Sequence, residues 1–166
     1  MKAWNKVGVV GAGTMGGGIA QIAAQAGCDV VLVDSYEDAL TRSRNDLMKV
    51  YARLVEKGRV GLDEAERIQQ RIERSTHLQS LADCDIIIEA IIEDIDIKTV
   101  LFQSLESIVN RETILATNTS SLSVTALASG CKFPKRVIGL HFFNPAPLMA
   151  LVEVIPALQT QSGLAA

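Results

Sequence analysis

His141 and Glu153 make the sharpest chemical suggestion in this sequence. His141 follows the apolar run 137–140, and Glu153 interrupts another at 151–155. An acid flanked by Val152 and Val154 is a poor candidate for free solution. A hairpin-like return through Pro145 and Pro147 would set it against the imidazole. A carboxylate on one ring nitrogen fixes the tautomer and stabilises the imidazolium, leaving the other nitrogen to accept a substrate proton. That is the equipment of a general base. A lone histidine after an apolar strand is more often structural; the prospective carboxylate partner is what lifts this one.

Two more polar segments follow apolar runs. One is Glu89-Ala90-Ile91-Ile92-Glu93 with Lys98 beyond it. Glu89 serves equally well as the solvated start of a helix, where acids suit the positive dipole end, or as a site residue. The other is Thr117-Asn118-Thr119-Ser120-Ser121, five small hydrogen-bonding residues in a row. Such a run can simply cap the next helix. Its place at a strand's end, where open α/β sheets bind ligands, favours a site.

Near the N-terminus stands Gly11-Ala12-Gly13-Thr14-Met15-Gly16, between the apolar run 7–10 and an apolar helix, and Asp34 ends the next apolar run. Gly11 permits a tight turn, Gly13 lets a pyrophosphate approach the backbone, and Gly16 lets the helix pack on the strand. A carboxylate at Asp34 would accept hydrogen bonds from ribose hydroxyls and repel a 2′-phosphate, which points to NAD rather than NADP. FAD shares the glycine fingerprint, and a glycine turn with no ligand is the bland alternative.

These groups need a scaffold that lines up strand ends. Apolar runs alternating with helix-period segments predict an α/β fold of Rossmann type, a doubly wound, mainly parallel sheet. Strands are expected at 7–10, 30–33, 86–88, 113–116, 137–140 and 151–155, with helices at 14–26 (closed by Gly27), 98–109 and 123–128. The charged stretch 37–74, broken at Gly58 and Gly61, reads as a helical-hairpin insertion standing off the sheet, its second helix capped by Asp63 with Glu66. The dinucleotide-binding domain is expected to span 1–156.

Composition narrows the field. The net charge is −3, with 48% hydrophobic residues, which gives no reason to expect nucleic acid as a partner. No apolar stretch is long enough for a bilayer, and the N-terminal residues leave no room for a secretory segment. Cys28, Cys84 and Cys131 are too far apart for a metal cluster or a disulfide framework, and read as buried reduced thiols. A cytoplasmic enzyme domain is the expectation, without a metal and without a membrane.

In four blocks, in order and at matching spacing, the chain resembles the NAD-binding domain of L-3-hydroxyacyl-CoA dehydrogenases, including bacterial 3-hydroxybutyryl-CoA enzymes. The blocks are Val7 to Gly16, Glu89 to Glu93, Asn118-Thr119-Ser120-Ser121-Leu122 and His141-Phe142-Phe143-Asn144-Pro145. The resemblance implies His141 as general base, Glu153 as its orienting partner, and Ser120 bonded to the substrate's 3-oxygen beside the nicotinamide. It implies Glu93, Lys98 and Asn144 in the NAD cleft with Gly11, Ala12, Gly13, Thr14, Met15, Gly16 and Asp34. The 37–74 arm would hold coenzyme A, with Lys57 either meeting a phosphate or simply solvated; Val50 stands where some members carry a coenzyme A-contacting serine. The family continues into a C-terminal helical domain, absent from these 166 residues, through which the full-length parent is expected to form a homodimer. Residues 157–166 would begin the linker to it, in keeping with a mean hydropathy of +0.24. The expected reaction is NAD-dependent oxidation of L-3-hydroxyacyl-CoA to 3-oxoacyl-CoA. A fragment that binds NAD without turnover and a sugar-acid dehydrogenase of gulonate type are the alternatives.

Overall fold

The computed structural model describes residues 4–165. Short runs rich in Val and Ile form its strands: β1 (Lys6–Val10), β2 (Asp29–Val33), β3 (Ile72–Ser75), β4 (Ile86–Glu89), β5 (Ile114–Thr117), β6 (Val137–Phe142) and β7 (Val152–Pro156). They make one sheet in the order β3-β2-β1-β4-β5-β6-β7. All neighbours are parallel except β7, which returns antiparallel to β6. Parallel neighbours require crossovers. Helix α1 (Thr14–Gln25) joins β1 to β2, α2 (Glu37–Glu56) and α3 (Leu62–Gln70) join β2 to β3, α4 (Ile95–Ile108) joins β4 to β5, and α5 (Val124–Ser129) precedes β6. After β3 the chain crosses back to place β4 on the other side of β1, so the winding direction reverses between β1 and β4. In open α/β sheets that reversal opens a crevice at the strands' carboxyl ends.

Alternation along the strands builds a core on each face of the sheet. Val9, Val30, Leu32, Ile86, Ile88 and Ile138 pack towards α1, α2 and α3. Val31, Val33, Ile87, Leu115 and Val137 pack the other way, onto Phe102 and Leu105 of α4 and Leu127 of α5. Two helices carry side-chain caps. Asp94 accepts the N–H groups of Asp96 and Ile97, each at 3.0 Å, and Ser123 accepts that of Ala126 at 3.1 Å. The Asp94 cap starts α4 three residues ahead of the expected 98.

The stretch 37–74 differs most from its sequence reading. Its last residues are not helical: Ile72–Ser75 form the edge strand β3, paired with β2. An edge strand beside helices buries little, and Glu73 and Arg74 hide its alternation, leaving Ile72 as the one fully buried side chain. The two helices are therefore the crossover to that strand. They do not stand off: Leu40, Leu47 and Tyr51 of α2 and Ala65 and Ile68 of α3 join the core with Ile19. Asp63 does not cap α3 either. Gly61 is the N-cap, with no side-chain bond, and Asp63 lies in the first turn. Of the three free thiols, Cys84 is buried and Cys28 and Cys131 are half-buried, where the sequence suggested burial of all three.

Candidate active site

The glycine turn lies between Val10, the last residue of β1, and Thr14, the first of α1. Gly11 has φ +103°, and a side chain there would put Cβ 2.6 Å from the Ala90 carbonyl oxygen of the neighbouring strand's loop. At Gly16 a Cβ would fall 1.8 Å from the Gly11 carbonyl oxygen, so helix and turn touch directly. Gly13 is different: nothing lies within 4 Å of where its Cβ would stand. It is the N-cap of α1 and brings no side chain to the helix end, so the first N–H groups are open to an anion. Thr14 is exposed at that end, while Met15 packs into the core.

Asp34 follows β2 and is drawn into the turn. Its Oδ2 accepts the Ala12 N–H at 2.7 Å and its Oδ1 the Tyr36 N–H at 3.0 Å. A carboxylate offers about four lone-pair sites, so two bonds leave capacity for vicinal ribose hydroxyls. An open N-terminus, a bare Gly13 and a half-buried acceptor together fit a dinucleotide. Alongside, Thr14, Gly17, Gly18, Asp46 and Val50 line a cavity of about 360 Å³ roofed by Pro145 and Pro147.

At the end of β4 sits a second arrangement. Glu89 is wholly buried, neither a solvated helix start nor a side chain reaching the cleft. Its Oε1 meets the Lys98 ammonium at 2.5 Å and accepts the Ile91 N–H at 2.8 Å, while Oε2 accepts the Thr117 hydroxyl at 2.7 Å. Lys98 is itself only 1% exposed. Expected in the cofactor cleft, it is buried on the inward face of α4, with its ammonium on Glu89. Its second partner is Glu93 Oε2 at 3.3 Å. Glu93 in turn gathers the loop after β5: its Oε1 accepts the Thr119 hydroxyl, the Ser120 N–H at 3.2 Å and the Ser121 hydroxyl at 3.3 Å. Partial burial pushes the Glu93 carboxyl up, but the Thr119 hydroxyl, Lys98 and the Ser120 N–H outweigh it and hold it below the usual carboxylate range.

The third arrangement joins β6 to β7. Antiparallel pairing sets His141 directly opposite Glu153, and Nδ1 lies 2.8 Å from Glu153 Oε2. A carboxylate can only accept, so Nδ1 carries the proton and Nε2 is left for a ligand. Phe143 tilts against the imidazole with ring centroids 4.8 Å apart. Glu153 is less enclosed than its sequence context suggests, with a side chain 51% exposed, because β7 is the sheet's edge and its apolar neighbours Val152 and Val154 are exposed too. The loop between the strands folds back over α1, with Ala146 and Pro147 against Gly18, and so carries exposed Asn144 towards the glycine turn.

Thus the carboxyl ends of β1, β2, β4, β5 and β6 bring the glycine turn, Asp34, Glu93, Ser120, His141 and Asn144 to one edge. Lys57 is not among them. It caps the far end of α2, whose 20 residues extend about 30 Å, and it is exposed. Two residues that the sequence reading passed over as members of a polar run are structural ties. Thr119 bonds Glu93, and the Asn118 carboxamide accepts the Phe142 N–H at 2.9 Å. The only signal for them was their place in the run 117–121.

A doubly wound sheet with this turn at the β1–β4 reversal and an acceptor after β2 defines a dinucleotide-binding α/β domain. Residues 6–166 match the family model described as "3-hydroxyacyl-CoA dehydrogenase, NAD binding domain", and the chain belongs to that family. A probable 3-hydroxybutyryl-CoA dehydrogenase of Deinococcus radiodurans is 51% identical over 155 residues, 93% of this chain and 55% of that protein. The 3-hydroxyadipyl-CoA dehydrogenase of Escherichia coli is 45% identical over 93% of this chain and 32% of its own. The crystal structure of a 3-hydroxybutyryl-CoA dehydrogenase from Escherichia coli superposes with a TM-score of 0.97 at 41% identity, covering 99% of this chain and 35% of that one. The chain spans about a third to just over half the length of these relatives, and NAD is the cofactor the family binds. No helix among the described residues is long and apolar enough to cross a membrane.

Proposed function

We propose that this chain supplies the NAD-binding half of an L-3-hydroxyacyl-CoA dehydrogenase and carries its general base, oxidising the 3-hydroxyl of an acyl-CoA to a ketone. The observation that carries this reading is the 2.8 Å contact between His141 Nδ1 and Glu153 at the edge that holds the glycine turn. Neutral His141 accepts the hydroxyl proton at Nε2, and Glu153 stabilises the cation that forms; in the reverse direction the imidazolium returns the proton. Help of this kind contributes roughly 10²–10⁴ in rate. Bound NAD supplies the hydride-accepting chemistry. Ser120, held by Glu93 at the neighbouring strand end, would orient the substrate oxygen. Lys98 would act through Glu93 rather than by touching the cofactor. Burial pushes the free thiols of Cys84 and Cys131 up to about 11, which leaves them outside the proposed chemistry. In the protein containing this domain, His141→Gln is expected to lower turnover with acetoacetyl-CoA at least a hundredfold; turnover within a few-fold of the parent overturns the role of His141.

A second reading concerns the chain by itself. Glu153 and the whole of β7 are exposed. The isolated chain would then bind NADH, seen as a rise in nicotinamide fluorescence, yet leave acetoacetyl-CoA unreduced. Measurable turnover by the purified chain contradicts it.

A further inference from the structure

A cavity of about 750 Å³ lies away from the glycine turn, in the groove between α2, α3 and β3. Arg44 of α2 and Arg74 of β3 both line it. Helical periodicity puts Arg44 and Met48 on a different face of α2 from Arg42, Asp46 and Val50, which border the cavity beside the turn.

Arg74 is poorly satisfied. Its Nη1 donates to the Ile72 carbonyl at 3.1 Å, but its Nε is buried with no acceptor among the described residues. Burial first, and then the like charge of Arg44, hold this guanidinium below the usual arginine value. Glu66 lines the same groove, yet forms no ion pair with either arginine among the described residues. Two guanidiniums in one recess, one of them with an idle donor, call for an acceptor of more than one charge. Apolar side chains form another part of the wall, Met48 and Val55 of α2, Leu62 of α3 and Ile72 of β3, with the Gln69 and Gln70 carboxamides of α3 beside them.

We propose that this groove binds a phosphate monoester, its dianion held between Arg44 and Arg74 and its organic body laid on Met48, Val55, Leu62 and Ile72. A phosphate dianion matches two guanidinium forks in charge and geometry, whereas a carboxylate would leave one cation unanswered. The inference stands independently of the dehydrogenase reading.

The test is a titration of the chain with hexyl phosphate, inorganic phosphate and hexanoate, followed by backbone amide shifts. Hexyl phosphate is expected to bind most tightly, with shifts confined to α2, α3 and β3. Arg74→Leu and Arg44→Gln should each weaken it about tenfold, with NADH fluorescence titration unchanged in both as the check on the fold. If the change at half-buried Arg74 unfolds the chain, the exposed Arg44→Gln decides alone. The proposal fails if hexyl phosphate does not bind, if its affinity ignores Arg44→Gln, if the shifts fall at Gly11–Gly16 instead, or if hexanoate binds equally well.

Discussion

The Asn118 carboxamide oxygen accepts the Phe142 N–H at 2.9 Å, so the end of β5 grips the residue that directly follows His141. Asn118→Asp keeps an acceptor and should keep the grip; Asn118→Leu strands the N–H at a cost of about 1–3 kcal/mol. Thermal unfolding should show a loss of several degrees for the leucine variant alone. The His141 ring resonances should also move only in that variant. Equal behaviour of the two variants argues against the tie.

Asp34 both braces the turn through Ala12 and stands where a ribose would bind. Asp34→Ala is expected to weaken NADH binding and to narrow the preference over NADPH by about tenfold or more. Parallel fluorescence titrations with the two nucleotides measure this. An unchanged ratio removes Asp34 from the ribose site.

Gly13 and Gly16 should respond oppositely to the same added methyl. Gly16→Ala drives Cβ onto the Gly11 carbonyl and should destabilise the fold by at least about 1–3 kcal/mol, seen in urea unfolding. Gly13→Ala meets nothing and should fold normally while losing most of its NADH affinity, because the methyl occupies the approach to the helix end.

Lys98→Met leaves the buried Glu89 carboxylate without its cation, which costs about 3–5 kcal/mol. Pairing it with Glu89→Gln should recover most of that loss. Chemical denaturation of the two variants separates a buried ion pair from simple packing, since packing loss would grow in the double variant.

Glu93 gives the stability a sign with pH. Its carboxyl is held below the ordinary range in the folded protein. The stability it contributes is therefore present above the unfolded carboxylate value near 4.3 and is lost as pH falls through the lower folded value. Glu93→Gln should flatten the acid limb of a stability profile below about pH 4.3 and leave its slope between pH 6 and 8 unchanged. A profile parallel to the parent's at acid pH contradicts this.

Local sequence determined the parts of this protein that depend on near neighbours along the chain. The glycine turn needs only Gly11, Gly13 and Gly16 between an apolar run and a helix. The facing of His141 and Glu153 follows from two apolar runs joined by a short proline-bearing return, because antiparallel pairing brings opposite residues together. Both were legible in the sequence. Tertiary structure decided what depends on partners far apart. β3 escaped notice because an edge strand buries one side chain in four, so Glu73 and Arg74 mask the alternation that marks a strand. Glu89 reads equally well as a solvated helix start or a site residue, and Lys98 as a cleft residue; only packing of α4 on the sheet makes them a buried pair beside Glu93 and the Ser120 loop. Local spacing can place a group on a strand end, but whether its charge faces solvent, ligand or another charge is set by the elements that pack around it.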